Sequence, residues 1–301
     1  MSAALDLRAV VALVVLCGSW GLNQVAIKVA LWGIPPALQM GGRSLVAAIL
    51  VGVWCALRRI PLFSSDGTLW PGIAVGILFA VEFVLLFWGL EITSAGRGVL
   101  FLYLAPFVVA VGGHFFLGER LSGRKLMGLG CAFLGMALAF SDRLSLPSSQ
   151  ALVGDALCLA AAIFWGATIV MVKGSALARA PAEKTLLYQL GVSAALGFVL
   201  SPALGETLEP RLAFAVMPAF LYQAVWVAAI TYVAWFALMR KYPASLLTSF
   251  TFLTPLFGVA FGAALLGEPV TPHLLAALLL VGAGIYLVNR SSAGQRRAAA
   301  A

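Results

Sequence analysis

Apolar residues in this chain gather into long runs, each closed by a short cluster of charged residues, Pro or Gly. The pattern predicts ten helices, near residues 9–30, 38–57, 70–91, 96–117, 125–141, 152–173, 184–204, 214–239, 245–266 and 272–289. At about 1.5 Å per residue, about 20 residues cross a hydrocarbon layer about 30 Å thick. The expected fold class is therefore an all-α integral membrane protein with ten transmembrane helices.

Composition agrees with the pattern. Apolar residues make up 62% of the 301 and charged residues only 10%, against about 45–50% and about 25% in an average soluble domain. A mean hydropathy of +1.04 leaves lipid as the solvent for most of the chain. A net charge of +8 suggests nucleic acid in a soluble protein, but here the basic residues sit in short connections and form no basic face, so no nucleic-acid partner is expected. They serve instead as topology signals. Arg8, Arg58, Arg59, Arg120, Arg124, Lys125, Lys173, Arg179, Lys184, Arg240, Lys241, Arg290, Arg296 and Arg297 all fall on one side of a ten-span arrangement. The opposite side is nearly bare. By the positive-inside rule both termini are cytoplasmic in a bacterial inner membrane. The first run carries Asn23, Gln24 and Lys28 and lacks a small-residue cleavage site, so it reads as a retained helix. No connection is long enough for a soluble catalytic or nucleotide-binding domain. Cys17, Cys55, Cys131 and Cys158 lie singly in apolar runs and read as inert buried thiols.

Laid over itself with an offset of about 145–149 residues, the chain shows an internal repeat. Trp20, Gly21 and Lys28 align with Trp165, Gly166 and Lys173; Pro106 and the later Gly118-Glu119 align with Pro255 and Gly267-Glu268; Phe83 and Phe87 align with Tyr232 and Phe236. Residues 1–143 and 144–301 thus form two five-span repeats. Five is odd, so the second repeat enters the membrane from the opposite face. Inverted repeats give a transporter two related packings, one open to each side.

These residues resemble the drug/metabolite transporter superfamily, and within it the EamA-type exporters. The likeness rests on the Trp-Gly pair in the first helix of each half and on the Pro then Gly-Glu pattern in the fourth, and it extends from about Val10 to Asn289. It implies export of amino acids or other small metabolites by alternating access; the chain looks most like the YddG-type aromatic amino-acid exporters.

Candidate site residues are the polar and aromatic side chains deep in the spans. Glu82 lies near the midplane, where a charged side chain costs about 2.5–3.5 kcal/mol on insertion scales, and its repeat counterpart is Thr231. It reads as a buried partner of Arg43, as a proton-titrating group or as a partner for a solute ammonium. Arg43, with Lys28 and Arg97, places positive charge where it attracts a carboxylate, although Lys28 and Lys173 also sit where long side chains snorkel to the interface. Pro106 and Pro255 are expected to kink their spans beside a cavity made polar by Tyr103, Ser249, Thr251 and Thr254. Trp20, Asn23, Gln24, Tyr188, Trp165, Trp226 and Tyr232 are expected to give that cavity apolar walls with a few polar handles. Tyr222 and Trp70 read as interfacial aromatics. Gly128-x-x-x-Ala132 and Gly282-x-Gly284 read as places of close helix packing, so spans 5 and 10 are expected to lie outside the solute path.

An integral-membrane enzyme needs a nucleophile with a base, or a metal cluster. His114 and His273 are far apart, and the chain holds no HExxH, Gly-x-Ser-x-Gly or Walker A sequence. The expected partners are a small-molecule solute and the lipid bilayer, with no cofactor, no metal and a monomeric protein.

Overall fold

The computed structural model describes residues 5–93, 95–141, 149–266 and 273–300, and all its long elements are helices. In chain order they are α1 (Leu7–Ala30), α2 (Pro36–Leu57), α3 (Leu69–Ile92), α4 (Ala95–Leu102), α5 (Ala105–Leu117), α6 (Gly123–Ala139), α7 (Ser149–Gly174), α8 (Ala182–Ala203), α9 (Pro210–Ala215), α10 (Met217–Leu221), α11 (Tyr232–Lys241), α12 (Ala244–Phe250), α13 (Leu253–Leu266) and α14 (His273–Ala300). A π-helical stretch, Tyr222–Thr231, joins α10 to α11. By length and composition, eight segments of the described residues suffice to cross a membrane, and Leu275–Arg290 within α14 is a shorter apolar stretch. At 17 residues, α6 is shorter than any of the eight.

The helix starts are written locally. Asp6 caps α1 by accepting from Ala9 N at 2.8 Å, Ser122 caps α6 by accepting from Lys125 N at 3.3 Å, and Pro36 stands at the first position of α2. The fourth and ninth predicted spans are each interrupted. The α4 helix stops at Leu102 and α5 starts at Ala105; α12 stops at Phe250 and α13 starts at Leu253. Pro106 and Pro255 follow each break by a residue or two. Lacking an N–H, each leaves the helical ladder short of one bond, and the breaks close with tight turns, Leu104 N donating to Phe101 O at 3.2 Å and Thr254 N to Thr251 O at 2.9 Å.

Two antiparallel crossings join the first half of the chain to the second. Along α6 and α14, Gly128 meets Gly284 and Gly135 meets Ala277; a Cβ on Gly284 would stand 2.4 Å from Gly128 O, so these helices touch backbone to backbone. Along α2 and α8, Gly41 meets Gly197 and Ser44 Oγ donates to Ser193 Oγ at 3.1 Å. The hydrogen-bonded pairs at both crossings, Ser44 with Ser193 and Cys131 with Leu280, are separated by 149 residues. Between the crossings α3 packs along α7 and α8, α1 packs on α13, and α7 packs on α4 and α5. Large apolar side chains such as Ile49, Phe115, Leu134, Val199 and Leu279 face outward, as lipid requires.

Candidate functional site

A cavity of about 180 Å³ opens where α1, α2, α3, α7, α8, α11 and the two breaks converge. Its walls are aromatic. Trp20 meets Trp235 edge-on with centroids 5.3 Å apart and Tyr232 at 6.1 Å, and Tyr103, in the first break, meets Trp165 edge-on at 5.6 Å. The Trp-Gly pair explains both walls. Consecutive helical residues point about 100° apart, so when the tryptophan faces the cavity the glycine faces the neighbouring helix. A Cβ on Gly21 would stand 2.5 Å from Phe257 Cβ in α13, and one on Gly166 2.6 Å from Val108 Cγ1 in α5. The glycine thus seats the broken span and the tryptophan lines the space beside it.

Polar groups punctuate these walls. Arg43 and Glu82 are 3% and 7% exposed. They act on each other electrostatically but make no direct ion pair; the Arg43 guanidinium lies over the Phe83 ring, 4.6 Å from its centroid. Tyr232 neighbours both charges, and Tyr103 faces Thr254. Five buried side-chain atoms on the lining have no hydrogen bond of acceptable geometry: Asn23 Oδ1, Arg43 Nε, Glu82 Oε2, Gln189 Nε2 and Thr254 Oγ1. Buried polar groups are ordinarily bonded; five open ones around one space set this cavity apart from the packed interior.

Both ends of the bundle are tied across the two halves. Where α5, α7 and α11 finish, Gly118 takes φ +67° and ends α5, turning the chain so that Glu119 reaches the start of α12. Glu119 Oε1 accepts from Ala244 N at 2.8 Å, and Oε2 accepts from Ser245 Oγ. Lys125, almost wholly buried, donates to Ser245 Oγ at 2.7 Å and lies 3.4 Å from Glu119. Lys173 Nζ donates to Met239 O at 2.6 Å and to Tyr242 O, closing the carbonyl end of α11. Nearby, Lys184 pairs with Asp66 at 2.8 Å. Hydrogen bonds from Lys184, Thr68 and Ser64 hold the Asp66 carboxyl well below the usual carboxylate range. At the opposite end Asp155 accepts from Arg97 and from Thr93 Oγ1, and Glu206 accepts from Ala37 N and Leu38 N at the start of α2.

The profile of the EamA-like transporter family matches residues 7–141 and again residues 152–290. The chain belongs to this family. Among curated relatives, a probable amino-acid metabolite efflux pump of Salmonella typhimurium is 31% identical, with 89% of this chain and 90% of the relative covered. The transporter YvbV of Bacillus subtilis is 30% identical, with 93% and 91% covered. A probable terminal-alkyne amino-acid exporter of Streptantibioticus cattleyicolor is 27% identical, with 97% of each chain covered. A solved crystal structure has TM-score 0.80 over 94% of this chain and 96% of that one, at 19% identity, a likeness of fold alone. Like its relatives, this EamA-like chain is a multi-pass membrane transporter of small molecules and not an enzyme.

In the EamA-like bundle Trp20, Asn23, Arg43, Glu82, Tyr103, Trp165 and Tyr232 all line the cavity. Four expected residues do not, and the first of them, Ser249, is fully buried and donates to Leu246 O at 2.7 Å. Tyr188 packs into the groove left by Gly72, its hydroxyl 3.2 Å from Thr68 Oγ1, and the next residue, Gln189, faces the cavity. Thr251 is fully buried in the second break and donates to Thr248 O at 2.7 Å; Thr254, one turn on, lines the space. Trp226 is 40% exposed and donates to Ser19 Oγ at 3.0 Å on the outside of the bundle. The wider turn of the π-helix rotates less per residue, so three residues after buried Gln223 the chain has not come round to the inner face. The side chains of Gln24 and Lys28, and Gly267-Glu268, lie outside the described residues. Two basic residues expected in other roles are committed elsewhere: Arg97 to Asp155, and Lys173 to backbone carbonyls where a snorkelling side chain was expected. Phe79, Phe83, Thr168, Trp235 and Phe236 also line the cavity; Phe83 and Phe236 were marked in the sequence by the repeat alone.

Proposed function

We propose that this protein exports amino acids, aromatic or otherwise apolar, or closely related small metabolites across a bacterial inner membrane by alternating access. In this reading residues 1–143 and 144–301 are inverted five-span repeats, both termini are cytoplasmic, and the protein works as a monomer. The observation that carries it is the cavity itself: an aromatic space, contributed by both halves and carrying five open polar atoms. Its volume of about 180 Å³ falls below the roughly 300–1,000 Å³ of pockets for drug-sized ligands, which favours a single small metabolite over a bulky drug.

The two crossings with a 149-residue separation support the inverted repeat, because equivalent residues of antiparallel helices meet each other only on a two-fold axis. The names of the Salmonella and Streptantibioticus relatives support the substrate class. The ties at Glu119 and Asp155 then act as gates that must open in turn while the other holds.

Counterflow in proteoliposomes tests the reading. Liposomes preloaded with unlabelled phenylalanine, leucine or threonine should take up the labelled amino acid faster than empty or protein-free ones, and saturably. Absence of exchange for every amino acid tried overturns the assignment.

A further inference from the structure

The open polar atoms of the cavity are not a random set. Asn23 Oδ1 only accepts hydrogen bonds, as does Glu82 Oε2 when ionised; Arg43 Nε and Gln189 Nε2 only donate; the Thr254 hydroxyl does either. Opposite charges in one apolar space would ordinarily be expected to meet. Here Arg43 is drawn over Phe83 instead, and Glu82 keeps a free oxygen.

We infer that the cavity is a receptor for a zwitterion, in which Glu82 and Asn23 take the solute's ammonium and Arg43 and Gln189, with Thr254, take its carboxylate. This rests on the transport reading above and deepens it. An ammonium brings donors and no acceptor, a carboxylate acceptors and no donor, so an α-amino acid complements both sets at once. A simple amine leaves the open donor of a buried guanidinium unmet, and a simple acid leaves the open oxygen of a buried carboxylate unmet; each omission carries a cost at a buried charged group. Asn23 and Gln189 can present either end of their amides by rotation. Arg43 and an ionised Glu82 decide which end is used. The ammonium acceptors both come from the first half of the chain, whereas the carboxylate donors come from both halves, so the solute's carboxylate bridges the parts that move during transport. Its side chain is left to the aromatic wall of Trp20, Tyr232 and Trp235.

The test uses the full-length protein in proteoliposomes and nanodiscs, with the amino acid that exchanges best, its decarboxylated amine and its deaminated acid as competitors. For phenylalanine these are phenethylamine and 3-phenylpropionate. Wild type should bind the amino acid about 10- to 100-fold more tightly than either, the size expected for hydrogen bonds to a charged group. Glu82→Gln should weaken the amino acid and the amine while leaving the acid unchanged, and Arg43→Gln should weaken the amino acid and the acid while leaving the amine unchanged. Should Arg43→Gln not fold, Gln189→Leu and Asn23→Leu must give the same split in milder form. A wild type that exchanges amino acids yet binds amine or acid as tightly overturns this inference alone, as do variants that weaken all three ligands in proportion. A wild type that neither binds nor exchanges any amino acid overturns the transport reading with it.

Discussion

The two halves of the chain build the same frame and load it differently. Gly21 and Gly166 both seat a broken span, and Trp20 and Trp165 both face the cavity. At the polar positions the halves part. Asn23 matches Thr168, and Glu82 matches Thr231. In the second half each threonine satisfies itself, Thr168 donating to Phe164 O at 2.9 Å and Thr231 to Val227 O at 2.7 Å, while Thr231 also accepts from Trp20 Nε1 at 2.9 Å. In the first half Asn23 and Glu82 keep open atoms. A threonine bonded to the carbonyl four residues back is at home in lipid or in a cavity alike; a carboxylate at that depth is not. The halves thus share a frame and differ at a few polar cavity positions.

If the frame is common to both halves, breaking it should be equally severe in each. Gly21→Leu and Gly166→Leu both push a side chain to within 3 Å of a neighbouring helix, an overpacking at or beyond the upper end of the usual 1–3 kcal/mol or so. Both variants should fail to yield monodisperse protein on size-exclusion chromatography; normal behaviour of one but not the other would break the equivalence.

Next in size is the tie at one end. Glu119→Gln keeps an acceptor for Ala244 N but removes the charge opposite buried Lys125, leaving a cation that costs about 3 kcal/mol when unpaired. Thermal unfolding should fall by several degrees, and Lys125→Met in the same chain should restore part of the loss.

Loading should be unequal where the frame is equal. Glu82→Thr copies the second half into the first and should cost roughly 10- to 100-fold in amino-acid affinity. Asn23→Thr makes the milder copy, and a loss of a few fold is expected, one neutral hydrogen bond being worth about 1 kcal/mol. Equal effects of the two substitutions on binding would remove the special place given to Glu82.

How much of this was legible in the sequence follows from the same contrast. Runs of apolar residues place helices well, because lipid admits little else, and Pro106 and Pro255 mark both breaks. Charged or aromatic residues deep in such runs, Arg43, Glu82, Trp20 and Trp165, stand out because lipid penalises or positions them. Rotational phase does not stand out. Tyr188 and Gln189 differ by one residue and about 100°, and composition does not say which faces inward; Thr251 and Thr254 pose the same problem across a break whose turn geometry is irregular. Trp226 needed the π-helical register of residues 222–231. Lys125 looked like a loop charge because basic residues cluster at helix ends, and only the path of the chain after Gly118 brings Glu119 and Ser245 to meet it.

The smallest expected effect lies at Asp66, where the first half reaches the second through a pair at the edge of the bundle. Because Lys184, Thr68 and Ser64 stabilise its charged form, the Asp66 carboxyl in the folded protein titrates below the usual value of about 3.9. A lowered folded value means that the contribution to stability is fully present above that ordinary value and is lost as pH falls through the depressed one. The carboxylate side chain is 33% exposed, so water and salt screen the pair and the contribution is small. Asp66→Asn should therefore lower the unfolding temperature at pH 7 by a few degrees at most, and by less at high salt. Lowering the pH from 5 towards 3 should narrow the gap between variant and wild type. A gap that widens in acid would mean that Lys184, and not the carboxylate, sets the stability of this contact.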